Sequence, residues 1–161
     1  YNGVSNDKSQ STSTSNAAGA KLKDLVSYTL PDGWSENVCS ESSVALFFIP
    51  NGAILDCNTN PIAPIKAYVD TQNTTDCQQL NTASIQNIRK HTCISLYIDG
   101  HKSLKSFTEY GVDSAYKIDT TISGYYINTG KGVTVIEYTF TSVNDYQTGF
   151  DQLANSVKVK D

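Results

Sequence analysis

Few side chains in this sequence could do chemistry, and they are widely spaced. His91 and His101 are the only histidines, so a general base working near neutral pH would have to be one of them. His91 and Cys93 stand two residues apart, as do Asp99 and His101. Residues two apart on a strand face the same side, so each pair could offer two metal ligands. A strand of about six residues spans ~20 Å, so the two pairs cannot share one ion unless the chain folds back. Serine is abundant, but no Gly-x-Ser-x-Gly elbow exists. The nearest Gly-flanked serine, Ser123 in ISGYY, reads as a solvent-facing sheet residue. Cys77, at the start of an expected helix, is the one cysteine whose pKa a helix terminus could lower. The acidic residues lack the order of an EF-hand loop. Gly130-Lys131-Gly132 lacks Walker spacing and reads as a turn with a solvated lysine. Asn73-Thr74-Thr75 matches a glycosylation sequon, relevant only in a eukaryotic secretory setting. The expectation is a non-enzymatic protein with no cofactor and no metal. The alternative is a small hydrolase or metal-dependent enzyme built on His91 or His101.

The bulk composition excludes other classes. The chain has 161 residues, enough for one ordinary domain. Charged residues make up 17%, against about 25% in a typical globular domain. The formal net charge is -4 and the pI about 5.0, which gives no general pull toward nucleic acid or an anionic membrane. No apolar run approaches the ~20 residues of a membrane span. Met is absent, so the chain reads as a mature or trimmed fragment.

Cys39, Cys57, Cys77 and Cys93 allow two disulfides in three pairings, with buried thiols as the alternative. Their spacings fit no short zinc knuckle. Cys39–Cys57 closes readily if residues 53–57 return beside Val44 and Ala45. Cys77–Cys93 is awkward if a helix separates the two residues.

These residues must be positioned by a folded part that starts near Lys21. Residues 1–20, YNGVSNDKSQSTSTSNAAGA, have almost nothing to bury and read as a flexible linker. Residues 21–161 read as a single domain. A short strand around Leu25, Tyr28 and Leu30 stops at the turn Pro31-Asp32-Gly33, and Trp34, the sole tryptophan, seals one end of the core. Residues 43–49, SVALFFI, are apolar on both faces and read as a central strand. Pro50-Asn51-Gly52 turns it into a hairpin with residues 53–57. Ile65, Ala67 and Val69 alternate along another strand. Residues 76–91 read as a helix with the stripe Cys77, Leu80, Ala83, Ser84 and Ile88. Residues 93–99 form a strand with Ile94, Leu96 and Ile98 facing inward, which ends at Asp99-Gly100, and residues 100–114 read as a polar excursion. From Tyr116 onward the alternation is long. Ile122, Gly124 and Tyr126 fall on one face, with Ser123 and Tyr125 on the other. Asn128 to Gly132 then turns the chain into Val133 to Phe140. Gly124 suggests a bulge or bend. Asn144 caps a last helix, whose stripe is Tyr146, Phe150, Leu153, Ala154 and Val157. The fold class expected is α+β, an antiparallel sheet of about six strands covered by helices.

Three motifs point the same way. YTLPDGW at 28–34, the hairpin GYYINTGKGVTVIEYTF at 124–140 and the ending FDQLANSVKV at 150–159 resemble the entry, central hairpin and closing helix of PsbP-like domains, over about residues 22–160. The resemblance implies a PsbP-like α/β/α sandwich of the bacterial lipoprotein type. It also implies a member that binds partners rather than one that catalyses. It supplies no catalytic residue.

The functional expectation is a non-enzymatic, extracellular or cell-surface binding or accessory domain. The linker would tether it, with a lipid anchor upstream of Tyr1. Its partner would be a protein or another envelope component, not nucleic acid, and it would be a monomer. Tyr68, Tyr97 and Tyr125, placed on outward positions, would supply the contact surface, because tyrosine is enriched at interfaces. A pure envelope spacer without a ligand is the remaining alternative.

Overall fold

A computed structural model describes residues 17–39, 45–57, 65–80, 88–111, 120–140 and 146–161. The elements in chain order are α1 (Ala17–Leu25), β1 (Val26–Ser27), β2 (Ser35–Asn37), β3 (Leu46–Ile49), β4 (Ile65–Asp70), a 3-10 turn (Cys77–Leu80), β5 (Ile88–Ile98), β6 (His101–Tyr110), β7 (Thr120–Asn128), β8 (Val133–Phe140), α2 (Gln147–Asn155) and β9 (Lys158–Val159). Seven strands form one antiparallel sheet in the order β2-β3-β4-β8-β7-β6-β5. β1 and β9 pair separately and bring the two ends of the described chain together.

The sheet follows from period-two sequence. On one face Phe48, Ile65, Ala67, Ile136, Tyr138 and Ile127 are all nearly inaccessible, and α1 and α2 lay Leu22, Phe150, Leu153 and Ala154 on them. The face is aromatic at its centre. Tyr125 and Tyr138 both pack on Phe150, with ring centroids 5.2 and 5.5 Å apart. The opposite face also holds buried side chains, among them Phe47, Leu104, Val133 and Val135.

Three connections are set by glycine-dependent turns. At 31–34 the Trp34 amide donates to the Pro31 carbonyl (3.1 Å), with Gly33 at φ 79°. At 98–101 a two-residue turn carries Asp99 at φ 50° and Gly100 at φ 77°. Two positive φ values in succession match the right-handed twist of a tight hairpin. At 128–133 the Thr129 amide and hydroxyl both donate to the Gly132 carbonyl, at 2.9 and 2.7 Å.

The fold is not the expected α+β sheet covered by helices, and not an α/β/α sandwich. Strands dominate, and among the described residues there are only two short α-helices, nine residues each. The expected helix over 76–91 is the main reason. Cys77–Leu80 make a single 3-10 turn, and Ile88 to His91 already belong to β5. The stripe there was weak. Pairing of β5 with the whole of β6 won over local helix preference. The polar excursion at 100–114 is likewise corrected, since His101–Tyr110 form the ten-residue β6. The expected hairpin partner at 53–57 is irregular apart from one isolated bridge at Asp56. The strand around Leu25 is the end of α1 followed by two residues of β1. β3 lies second from the sheet edge, not at its centre. Helix α1 begins inside the stretch read as linker. Tyr116, Ile118 and Asn144 lie outside the described residues.

Other expectations are met. The β7–β8 hairpin turns at 128–133, with Thr120, Ile122, Gly124 and Tyr126 on one face and Thr121, Ser123 and Tyr125 on the other. Phe150, Leu153, Ala154 and Val157 are fully buried. Trp34 packs against the core, edge-on to Tyr146 with centroids 6.4 Å apart. Gly124 marks no bulge, because the register runs through it on both sides. A Cβ there would meet Ser106 Oγ and Tyr126 Cε2 at 3.3 Å, so the glycine makes room for the Tyr126 ring.

Candidate interaction surface

β5 is the exposed edge of the large sheet. Among the described residues it pairs only with β6. Its carboxyl-terminal half, residues 93–98, is uncharged and rich in β-branched and aromatic side chains, as suits a strand. The described large apolar side chains most open to solvent are Ile54 (82%), Tyr97 (71%) and Ile94 (57%). The last two lie on this half-strand and point to opposite faces. Apolar side chains exposed on both faces of an edge strand, beside a row of outward backbone donors and acceptors, make a surface that a further strand can join. Lone exposed apolar residues are ordinary. Two on one open edge are the informative feature.

The edge strand is held from both ends. Asp99 in the β5–β6 turn accepts from the Val159 amide (2.8 Å) and from Lys158 Nζ (3.4 Å). Those contacts, the backbone amide foremost, hold the Asp99 carboxyl below its ordinary value. Cys93 is joined to Cys77, with Cα atoms 5.7 Å apart. The pairing that looked awkward closes, because Cys77 opens a 3-10 turn and Cys93 lies within β5 rather than beyond the end of a helix. Cys39 and Cys57 form the second disulfide, with Cα atoms 5.4 Å apart. Cys77 is therefore not a reactive thiol. Two disulfides are compatible with an extracellular protein.

The three singled-out tyrosines do not share a surface. Tyr97 stands on β5 and Tyr68 on β4, on the same face but four strand spacings apart, about 19 Å. Tyr125 is on the other face and is not outward at all. It is 3% exposed, and its hydroxyl donates to Asp151 Oδ1 at 2.6 Å. Lys105 Nζ also donates to Asp151, at 3.1 Å, so Lys105 and Tyr125 clasp α2 onto β6 and β7, while Gln147 Nε2 donates at 3.2 Å from within α2. Burial pushes the Asp151 carboxyl up, but these three donors outweigh it, and its pKa lies below the ordinary value. Burial and the Asp151 charge together raise the Tyr125 phenol.

Tyr68 has a different neighbour, one that no outward-facing prediction supplied. Tyr68 and Tyr126 flank Val135 in register, and Glu137 joins the group by pairing with Lys66 at 3.5 Å. Burial, then Glu137 and Asp70, push the Tyr126 phenol up to about 12, against a hydrogen bond with Ser106. Burial and Glu137 raise Tyr68 as well. Both phenols stay neutral and half-buried, so this cluster reads as packing beneath a polar rim.

His91 Nδ1 lies 2.9 Å from Thr108 Oγ1, across the β5–β6 pair. Ser123 is 1% exposed and donates to the Ser106 carbonyl at 3.3 Å, a sheet contact rather than a solvent-facing one. Among the described residues no three His, Cys, Asp or Glu side chains gather where they could hold a metal ion. Asn73 of the sequon is exposed in the turn after β4, at φ 51°. Among the described residues no helix is long and apolar enough to cross a membrane.

No family model matches the chain, and no curated protein matches it.

Proposed function

We propose that this is a non-enzymatic, extracellular binding domain that engages a partner protein through the β5 edge. In this reading its N-terminal segment holds it near a cell surface. The observation that carries the reading is the exposure of Ile94 and Tyr97 on an uncharged half-strand that, among the described residues, pairs only with β6 and lies at the sheet edge. A spacer without a ligand gains nothing from such an edge, which invites aggregation unless something occupies it.

The test is a photo-crosslinking amino acid at position 97, with position 54 as the equally exposed control away from the strand. The intact protein is incubated with secreted and cell-surface material from its source. The reading expects a discrete adduct from position 97, none from position 54, and loss of the adduct in Ile94→Glu. Identical patterns from both positions, or none from either, would sink it.

A further inference from the structure

The connection from β4 to Cys77 has little slack. β4 ends at Asp70, and Cys77 is bonded to Cys93 of β5, with β8, β7 and β6 lying between the two strands. Four strand spacings are about 19 Å. Seven residues reach at most about 25 Å when fully extended. A tight turn uses part of that reach. The Asn73 amide donates to the Asp70 carbonyl (3.3 Å), and the Thr74 amide donates to the Asp70 carboxylate (2.8 Å). Residues 74–77 must therefore run almost directly across the sheet.

Register shows which face they cross. Cys93 stands opposite Ser106, Ser106 opposite Gly124, and Gly124 opposite Glu137. That row shares its face with Tyr68, Leu104, Tyr126 and Val135, away from Tyr125 and the Phe150 of α2 that packs on it. The helices lie on the other face, yet Leu104, Val133 and Val135 are at most 1% exposed, and Thr74 is itself buried. Residues 71–80 thus form a strap over this helix-free face. None of residues 77–80 is buried. This end of the strap carries local hydrogen bonds, from the Thr75 and Asp76 amides to Gln79 Oε1 and from the Gln78 amide to Asp76 Oδ1. The disulfide is what fixes it to the sheet. Cys77 and Cys93 are both partly exposed, so a thiol can reach the bond.

We propose that Cys77–Cys93 is a redox-sensitive latch, opened by a dithiol reductant, that holds the strap closed over the helix-free face. A thiolate of the reductant attacks one sulfur and expels the other as a thiolate. The second thiol of the reductant then attacks the mixed disulfide and closes the reductant's own disulfide. Two electrons and two protons pass to Cys77 and Cys93. The turn at Asp70 stays intact and acts as the hinge. Leu104, Tyr126 and Val135 are uncovered, a patch that the oxidised protein hides. This latch is independent of whether β5 accepts a strand.

The probe is dithiothreitol, titrated into the intact protein while thiols are counted and anilinonaphthalene sulfonate reports exposed apolar surface. Cys57 is exposed, so the Cys39–Cys57 bond is reducible too. The titration is therefore repeated on Cys39→Ser/Cys57→Ser, and the dye is also added to Cys77→Ser/Cys93→Ser without reductant. The expected result is a rise in dye fluorescence of at least about threefold as the latch thiols appear. The cooperative thermal transition should persist, and reoxidation should reverse the rise. Cys39→Ser/Cys57→Ser should respond as the wild type does, and Cys77→Ser/Cys93→Ser should be bright from the start. Three results would overturn the proposal. They are complete reduction with unchanged fluorescence, loss of the cooperative transition in the reduced protein or in Cys77→Ser/Cys93→Ser, or a Cys77→Ser/Cys93→Ser protein as dark as the oxidised wild type. If Cys39→Ser/Cys57→Ser fails to fold, the wild-type titration and Cys77→Ser/Cys93→Ser decide between them.

Discussion

Trp34 lies against Gly149 on the first turn of α2. A Cβ built at Gly149 would sit 3.0 Å from Trp34 Cη2 and closer still to Cζ2. A glycine inside a helix costs up to ~1 kcal/mol relative to alanine, and the close approach of the indole explains why it is there. Gly149→Ala should therefore destabilise the protein by about 1–2 kcal/mol through overpacking, although it raises helix propensity. Chemical denaturation measures this. Against a Trp34→Leu background the same substitution should become neutral or favourable.

Thr134 makes the opposite case. Its hydroxyl is fully buried on β8 and is the one buried side-chain polar atom without a hydrogen-bond partner among the described residues. An unsatisfied buried polar group costs about 1–3 kcal/mol. Thr134→Val should raise stability by about 1 kcal/mol, seen as a higher denaturation midpoint with an unchanged slope.

The Tyr125–Asp151 contact sets an acid sensitivity. The Asp151 carboxyl titrates below its ordinary value of 3.8 in the folded chain. Its contribution is complete above that ordinary value and is lost as pH falls through the lower folded value. Asp70 and Asp99 have the same sign. Stability should fall with acidification below that ordinary value, and Asp151→Asn should flatten that fall while lowering stability at pH 7. Tyr125→Phe should cost about 1.5 kcal/mol at pH 7, and the two substitutions should not add.

The Cys77–Cys93 bond closes a sequence separation of 16 residues. Replacing both cysteines by serine should cost about 3 kcal/mol, or roughly 6–12 °C in Tm for a domain of this size. A calorimetric scan of the double variant checks it. The loss should be larger than that for Lys66→Ala, which removes an ion pair with Glu137 and a cation–π contact with Tyr68.

The sequence spoke plainly where a period was long and unopposed. The β7–β8 hairpin and the stripe of α2 could be read because ten or more residues repeat one pattern between strong turn signals. It misled where local and non-local preferences compete. Residues 76–91 have helix-compatible spacing, yet Ile88 to His91 extend β5 because β6 offers a full-length partner. β6 itself was hidden by its polar composition, HKSLKSFTEY, although Asp99-Gly100 is a strong two-residue hairpin signal. The candidate surface was legible only in part. Tyr97 was singled out, but Ile94 was read as inward, since nothing local shows that the covering helix ends before the last strand. Tyr125 was read as outward for the same reason, because the alternation separates the two faces of a sheet without saying which one a helix will cover.

The central claim is that residues 93–98 are an open edge that accepts a strand. Residue-resolved amide hydrogen exchange of the intact protein tests it most directly. In the free protein, alternate amides of residues 93–98 should exchange as fast as those of the turns, while β7 and β8 exchange slowly. Uniform protection of β5 in the free protein would contradict the account.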